Sequence, residues 1–164
     1  MSNKSYTVSF EVNQSSDQVF KAICNITNWW SKDFSGNSSK LHDEFVINHP
    51  GQHYSKQQVV EFIPNKKIVW LVTESKLSWL KINQQEWTNT KICFQISLAG
   101  NKTKLEFTHE GLTPEKECYN LCEQGWNIVI REWLRYLIEE GKTSPAMEQA
   151  AEIRNRALKD TLKS

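Results

Sequence analysis

One long amphipathic run near the end of a strand-rich chain constrains the fold more than any other feature. Between Thr113 and Gly141, apolar residues recur every three or four positions, which predicts one helix with a buried stripe. The stripe consists of Cys118, Leu121, Cys122, Gly125, Trp126, Val129, Trp133 and Leu137. Thr113-Pro114 matches a helix start, and Gly141 followed by Pro145 matches a helix end. At about 1.5 Å per residue, such a helix is roughly 40 Å long and can cross a whole sheet.

The segments before this helix alternate apolar and polar residues, which is typical of strands with one buried face. Six segments follow this pattern or carry dense apolar runs: 6–12, 44–48, 54–63, 68–74, 92–98 and 105–109. The turns between them are short, as at Pro64-Asn65 and 99–102. Short turns predict that consecutive strands pair as an antiparallel meander.

Two short helical pieces are predicted after the first strand. Ser15 and Gln18 have the spacing of a capping box, with Val19, Phe20 and Ile23 as the apolar face behind it. Residues 25–30 predict the second piece, and the polar residues 35–39 predict a loop.

The order of elements predicts an α+β domain, with a curved antiparallel sheet closed by the long C-terminal helix. An apolar sheet face and an apolar helix stripe bury each other most simply, and the curvature leaves room for a cavity between them. This domain spans residues 1–145. Residues 146–164 add a helical tail with few apolar positions, which we expect to be weakly docked.

Composition and charge limit the kinds of partner and the cell compartment that we expect. The 164 residues carry a net charge of +1 without a basic stripe, so nothing favours a nucleic-acid partner. No segment reaches the roughly 20 apolar residues of a membrane span, and the N-terminus lacks a signal-peptide pattern, so we expect no membrane association and a cytoplasmic location. Cys24, Cys93, Cys118 and Cys122 lack framework spacing, which indicates free thiols. Seven Trp and seven Phe must fill a core or line a pocket.

Short segments spread between residues 5 and 145 carry a family resemblance through their order and spacing. They are Val19-Phe20, Trp29-Trp30-Ser31, 60–64 leading to 68–70, Glu86-Trp87, 103–112, 117–119, Gly125-Trp126 and Gly141-Lys142. Together they resemble the START-like (SRPBCC) superfamily, in the branch related to the activator of the Hsp90 ATPase. The resemblance implies a helix-grip fold and often a cavity for hydrophobic small molecules. It does not imply one chemistry, because the superfamily includes lipid carriers, hormone receptors, cyclases and co-chaperone domains.

Three functions stay open. The first is the binding of a small hydrophobic or aromatic molecule between sheet and helix. Its candidate ligand-binding residues are Trp30, Tyr54, Trp70, Trp79, Trp87, Phe94, Phe107, His109, Trp126, Val129 and Trp133. The second is a co-chaperone-like module that stimulates a chaperone ATPase, and the third is a cyclase- or hydrolase-type enzyme. A cavity of several hundred Å³ favours the ligand, and a smaller void favours the interaction module. Both a monomer and a homodimer remain open.

His109 is the polar residue best suited to take part in acid–base chemistry, although no catalytic residue is assigned. It shares strand parity with Leu105 and Phe107, so its imidazole should face the apolar side, where it could act as acid or base. The alternative is a core-edge histidine satisfied by a backbone group or by Glu110, and this interpretation is favoured.

Other polar pairs give weaker signals, and we expect neither a metal nor a cofactor. His49 and His53 flank a Pro-Gly turn and read better as surface-loop histidines than as zinc ligands, since zinc needs three or four ligands. Cys118 and Cys122 lie one helical turn apart and could form a metal or redox pair, but small core residues are favoured. Gly125 costs about 1 kcal/mol relative to Ala inside a helix, which indicates close approach to the sheet, a kink or room for a ligand.

Overall fold

The computed structural model describes residues 4–163, and its central element is a seven-stranded antiparallel sheet. The strands are β1 (Tyr6–Val12), β2 (Phe34–Gly36), β3 (Glu44–His49), β4 (His53–Ile63), β5 (Lys67–Leu77), β6 (Lys91–Ala99) and β7 (Lys102–Glu110). They lie in the order β1-β7-β6-β5-β4-β3-β2, and every neighbouring pair is antiparallel. The predicted meander is confirmed, with β1 added beside the last strand.

The sheet bends along β4 and gains a short edge strand. Register shifts between Lys56 and Gln57 and between Val59 and Glu61 mark bulges, which increase twist and curve the strand around the concave face. The predicted loop at 35–39 is wrong in part, because Phe34–Gly36 pair with β3 as β2.

The two predicted helical pieces after β1 are confirmed. Helix α1 spans Ser16–Cys24, and a 3-10 turn follows at Ile26–Asn28. The Ser15 hydroxyl accepts from the Gln18 backbone N–H at 3.2 Å, and the Gln18 side chain accepts from the Ser15 N–H at 3.0 Å. This capping box satisfies two backbone donors that would otherwise be unpaired at the helix start.

The C-terminal rod begins later than the sequence predicts. It consists of helix α2 (Tyr119–Ile128), a π-helical segment (Val129–Leu134) and helix α3 (Arg135–Glu140). The predicted start at Thr113-Pro114 is wrong, since the Glu86 carboxylate caps the rod instead. Its two oxygens accept from the backbone N–H groups of Glu117 and Cys118, each at 3.0 Å. The rod ends as predicted at Gly141, which has the left-handed φ of 73°.

The π-helical segment explains why the buried stripe of the rod differs from the predicted one. Buried residues recur at every fourth position: Cys118, Cys122, Trp126, Ile130, Leu134 and Ile138. In a pure α-helix of 3.6 residues per turn that stripe would wind around the helix, and the wider π turn absorbs the extra residue. Val129 and Trp133 consequently lie beside the stripe and are half-buried, while Leu121 is exposed.

The rod lies against the concave face of the sheet, which is the helix-grip arrangement. The Trp126 ring lies 4.7 Å from the Phe107 ring of β7, and the Arg135 guanidinium lies over the Phe10 ring of β1 at 5.4 Å. Helix α4 (Pro145–Lys163) follows, with Met147 buried near its start. No helix within residues 4–163 is long and apolar enough to cross a membrane.

Candidate functional site

An aromatic cleft of about 190 Å³ opens between α2 and the loop that follows β5. We call this space the aromatic cleft. Its lining consists of Trp30, His53, Trp79, Trp87, Leu121, Cys122, Gly125, Trp126 and Val129. The structure therefore brings five of the eleven candidate ligand-binding residues together here: Trp30, Trp79, Trp87, Trp126 and Val129. The tryptophans form its walls, and Trp87 and Trp126 stack with ring centroids 5.7 Å apart.

The deeper space between sheet and rod is filled by side chains. Trp30 at the inner side of the cleft stacks on Trp70 at 5.9 Å, and Phe94 meets Trp70 at 4.8 Å. Trp70, Phe94 and Phe107 have no exposed surface. These three candidate residues thus form the core behind the cleft.

Tyr54 and Trp133 lie away from the aromatic cleft. Along β4 the side chains of His53 and Ser55 face inward, so Tyr54 between them faces the other side of the sheet, where its hydroxyl lies 3.5 Å from Glu74. Trp133 packs against the core from the π-helical segment. Neither residue lines the cleft.

His109 is fully buried beside the cleft, and both of its ring nitrogens are occupied. The Trp126 indole N–H donates to His109 Nδ1 at 3.0 Å, and the Thr90 hydroxyl lies 2.8 Å from Nε2. Because an indole N–H only donates, Nδ1 must be unprotonated and Nε2 must carry the hydrogen. Burial lowers the pKa of His109 to about 3, and Lys116 and His53 add to this effect. No lone pair remains for a substrate proton, so the imidazole positions Trp126.

His53 and His49 are not surface-loop histidines, and that prediction is wrong. His49 ends β3 and His53 begins β4, so the turn between them is only three residues long and the two residues pair across it. His53 packs against the Trp87 ring at 4.9 Å, and its Nε2 lies 2.7 Å from Ser55 Oγ. Burial, then His49, lowers the pKa of His53 to about 3. Extending the predicted strand 54–63 by one residue, with the same alternation, would have placed His53 on the inner face.

Gly125 and Cys122 complete the helical side of the cleft and were absent from the predicted ligand-binding set. A Cβ built on Gly125 meets no atom within 4 Å, so there is room beside the helix and no close approach to the sheet. The Trp87 indole N–H donates to Cys122 Sγ at 3.4 Å. Within residues 4–163, no three His, Cys, Asp or Glu side chains are placed to hold a metal ion.

Two glutamates clamp the loop that follows β5, residues 78–90, to the start of the rod; we call this segment the cleft loop. Glu86 of the loop caps the backbone at Glu117 and Cys118, and Glu117 in return accepts from the N–H groups of Lys81 and Ile82. These backbone hydrogen bonds hold the pKa of Glu117 below its ordinary value. The exchange fixes Trp79 and Trp87 opposite α2, because both tryptophans belong to the clamped loop.

Comparison with known proteins agrees with this architecture. A family model described as "Activator of Hsp90 ATPase homolog 1-like protein" matches residues 13–139, which is more than half of the chain. The chain belongs to this family. The match covers every strand from β2 to β7 and the rod up to its last residue but one, and it does not include α4. The aromatic cleft therefore lies entirely inside the segment shared by the Activator of Hsp90 ATPase homolog 1-like family.

Solved structures share the fold at low sequence identity. The Aha1 dimer from Colwellia psychrerythraea is 21% identical with a TM-score of 0.64, over 84% of this chain and 98% of that one. Protein MLL2253 from Mesorhizobium loti is 17% identical with a TM-score of 0.62, over 80% and 96%. CalU16 from Micromonospora echinospora is 17% identical with a TM-score of 0.58, over 96% and 87%. At these identities the likeness shows the fold alone. No curated protein matches the chain significantly.

Proposed function

We propose that the aromatic cleft binds a small apolar molecule of about one aromatic ring. The observation that carries the proposal is an open space of about 190 Å³ walled by four tryptophans. An apolar cavity of about 150 Å³ suffices for benzene, whereas drug-sized ligands use about 300 Å³ or more. The cleft therefore suits a single ring better than a lipid or a polycyclic molecule.

Gly125 supports this proposal, because the chain keeps a helix-weakening residue at a helical position that lines the cleft. An alanine there would meet no atom within 4 Å and would favour the helix by about 1 kcal/mol. Stability alone therefore gives no reason for glycine at this position. Keeping the cleft open gives one.

Binding can be measured with toluene and indole as probes, using the indole N–H signals of uniformly ¹⁵N-labelled protein. We expect saturable shifts at Trp79, Trp87 and Trp126, which border the cleft, and much smaller shifts at Trp133. Gly125→Leu places an isobutyl group in the open space and should abolish the shifts without unfolding the helix.

The matched control is Gln124→Leu, which adds the same side chain to the neighbouring exposed position outside the cleft. This variant should bind both probes like the parent protein. Equal loss of binding in the two variants, or absence of saturable shifts in the parent, contradicts the proposed binding function.

A co-chaperone-like interaction is the second candidate, and the rim of the cleft favours it. Four large apolar side chains are exposed on this loop and on α2: Trp79 by 40%, Ile82 by 87%, Leu121 by 59% and Ile128 by 43%. The small cleft volume also fits this candidate, since we expected a void below several hundred Å³ to favour an interaction module. Exposed apolar groups at one site are typical of contact surfaces.

The interaction candidate is tested by adding the protein to a purified Hsp90-class chaperone and measuring ATP hydrolysis. We expect stimulation in the parent protein and a loss of at least severalfold in Leu121→Ala, with Leu98→Ala as the control. Leu98 is equally apolar and 76% exposed, but it lies at the end of β6, away from the cleft. No stimulation by the parent, or equal effects of both variants, contradicts the candidate.

A further inference from the structure

We propose that Gln57 forms a buried polar subsite behind the aromatic cleft, where it binds the uncharged amide group of a one-ring carboxamide. The inference rests on the proposed ligand site and adds a chemical class to its ligand. Gln57 has no exposed surface, and within residues 4–163 neither its Nε2 nor its Oε1 has a hydrogen-bond partner. Burying an amide without partners costs free energy, so the position is explained by a hydrogen-bonding group that is not part of the fold.

A second unpaired donor lies beside this amide. The indole nitrogen of Trp70 is buried and also lacks a partner among the described residues. Trp70 pairs with Val59 across β5 and β4, and Gln57 is the next inward-facing residue of β4. Side chains in this diagonal relation have Cβ atoms about 7–8 Å apart, which is within reach of long side chains. The two unpaired groups therefore project from neighbouring positions on the concave face of the sheet.

Trp30 separates this subsite from the aromatic cleft. Its ring lines the cleft and packs on Phe45 at 6.4 Å and on Trp70 at 5.9 Å. Phe45 is the β3 partner of Gln57, so the two ring contacts place Trp30 over the part of β4 that carries the amide. A ligand whose ring occupies the cleft can reach Gln57 once the Trp30 ring turns aside.

The inner face of β4 is polar from the cleft inward, which the packing of an aromatic core does not explain. His53 lines the cleft, and Ser55 and Gln57 follow at the next two inward-facing positions. His53 Nε2 and Ser55 Oγ are hydrogen-bonded to each other at 2.7 Å, whereas the Gln57 amide has no partner in the described chain. This polar stripe leads from the opening to the unpaired amide.

A primary carboxamide matches the unpaired groups in number and kind. Its oxygen can accept from Gln57 Nε2–H and from the Trp70 indole N–H, while its own N–H donates to Gln57 Oε1. A carboxylate has no donor to offer and would be a buried charge without a counter-charge. The buried polar side chains within residues 4–163 are those of Ser, Thr, Gln and His, without a Lys or an Arg. The subsite therefore favours an amide over the corresponding carboxylate.

Benzamide and α-methylstyrene are suitable probes because they have the same planar shape and differ in the polar group. Hydrogen bonding moves an indole proton downfield, so benzamide should shift the Trp70 N–H signal of ¹⁵N-labelled protein downfield and α-methylstyrene should not. At neutral pH, benzoate should bind roughly tenfold or more weakly than benzamide, because its charge would be buried unpaired. No downfield shift with benzamide, or equal binding of benzoate and benzamide, overturns the proposal.

Gln57→Met removes the amide at nearly constant side-chain length, and Gln58→Met is the matched control on the opposite face of β4. Benzamide should bind Gln57→Met roughly tenfold more weakly, as expected for the loss of a pair of hydrogen bonds. It should bind Gln58→Met like the parent, and α-methylstyrene should bind all three proteins alike. Equal benzamide affinity in Gln57→Met and Gln58→Met overturns the proposal.

Urea unfolding distinguishes a ligand subsite from a site that holds a buried water only. The midpoint of Gln57→Met should equal or exceed that of the parent, because the substitution removes an unpaired buried amide. A lower midpoint together with unchanged benzamide affinity shows a buried water only and overturns the proposal. Gln57→Leu repeats both measurements with a branched side chain if the methionine variant does not fold.

Toluene separates this inference from the ligand-binding proposal, because it has no polar group. Saturable toluene shifts together with benzamide binding that ignores Gln57→Met leave the binding function standing and remove the subsite. Benzamide binding that depends on Gln57, without any toluene binding, removes the apolar site and leaves the amide subsite. Binding of both probes, with only benzamide weakened in Gln57→Met, supports both.

Discussion

At the scale of single residues, His109 shows how donor chemistry fixes a protonation state. The indole of Trp126 can only donate, so it holds Nδ1 of His109 in the acceptor form and leaves Nε2 to donate to Thr90. Thr90 in turn donates to the Trp87 carbonyl. Two walls of the aromatic cleft are thereby tied to one neutral imidazole.

This neutral imidazole predicts a loss of stability in mild acid. The pKa of His109 is about 3 in the folded protein and near 6.5 when unfolded, so between these values only the unfolded chain binds the proton. Stability is complete above about pH 6.5 and falls by about 1.4 kcal/mol per pH unit below it for this one group. Urea unfolding between about pH 5 and pH 6.5 measures the slope.

His109→Gln is the informative variant, because a glutamine amide can accept from Trp126 and donate to Thr90 without titrating. The slope should decrease by about 1 kcal/mol per pH unit. His42→Gln is the matched control, since it makes the same substitution at an exposed position. Equal slopes in the parent and in His109→Gln would contradict a neutral buried His109.

Single residues also show where the sequence was informative. Strand parity alone placed His109 and Phe107 on the buried face, and the structure agrees. His53 was misplaced because the Pro50-Gly51 turn suggested a surface position, whereas the strand begins at His53 itself. Packing between distant elements decides which aromatic residues line a cleft and which fill the core. The sequence alone therefore could not distinguish Trp79, which lines the cleft, from Trp70, which lies in the core.

At the scale of elements, the clamp between the cleft loop and the rod replaces a local helix cap. Glu86 lies more than 30 positions before the backbone N–H groups of Glu117 and Cys118 that it caps. Thr113-Pro114 carries a good local start signal, but the rod begins where the distant carboxylate meets it. A signal read only from neighbouring residues could not include this long-range partner.

The clamp predicts that Glu86→Ala destabilises the protein by about 1 kcal/mol, as expected for loss of a helix-capping acceptor. Hydrogen exchange at the backbone amides of Glu117 and Cys118 should accelerate more than exchange in the middle of α2. Glu132→Ala is the control, because Glu132 is exposed on the same rod and accepts none of these bonds. Similar exchange in both variants means that the carboxylate is not the cap.

The π-helical segment also limits what periodicity can reveal. An apolar residue at every fourth position from Cys118 to Ile138 is visible in the sequence, yet it fits neither a 3.6-residue period nor a strand. A stripe of that spacing requires a wider turn somewhere, and the structure places it at Val129–Leu134. Periodicity therefore predicted the rod correctly but assigned Val129 and Trp133 to the stripe in place of Ile130 and Leu134.

At the scale of the whole molecule, the same aromatic residues both complete the fold and close most of its cavity. The order of strands and the final rod followed from alternation, turn length and helical spacing, which are local signals. The free volume between sheet and rod is the small difference between the space that these elements enclose and the volume of the side chains that fill it. It depends on the rotamers of Trp29, Trp30, Trp70 and Phe45, so the sequence could suggest a cavity without giving its size.

The family match ends at residue 139, and the division into a domain and a tail that the sequence predicts would allow α4 to be removed. Its described anchors are few: Met147 is 2% exposed, and Arg154 pairs with Asp33 at 3.4 Å across a partly exposed contact. Burying one methionine contributes about 1.5–3 kcal/mol, and a surface ion pair contributes under about 1 kcal/mol. Deleting residues 145–164 should therefore lower the unfolding free energy by only about 2–3 kcal/mol. Urea unfolding should stay cooperative, and Arg154→Gln should cost less than the deletion. A deleted chain that no longer unfolds cooperatively would show instead that α4 belongs to the folding unit.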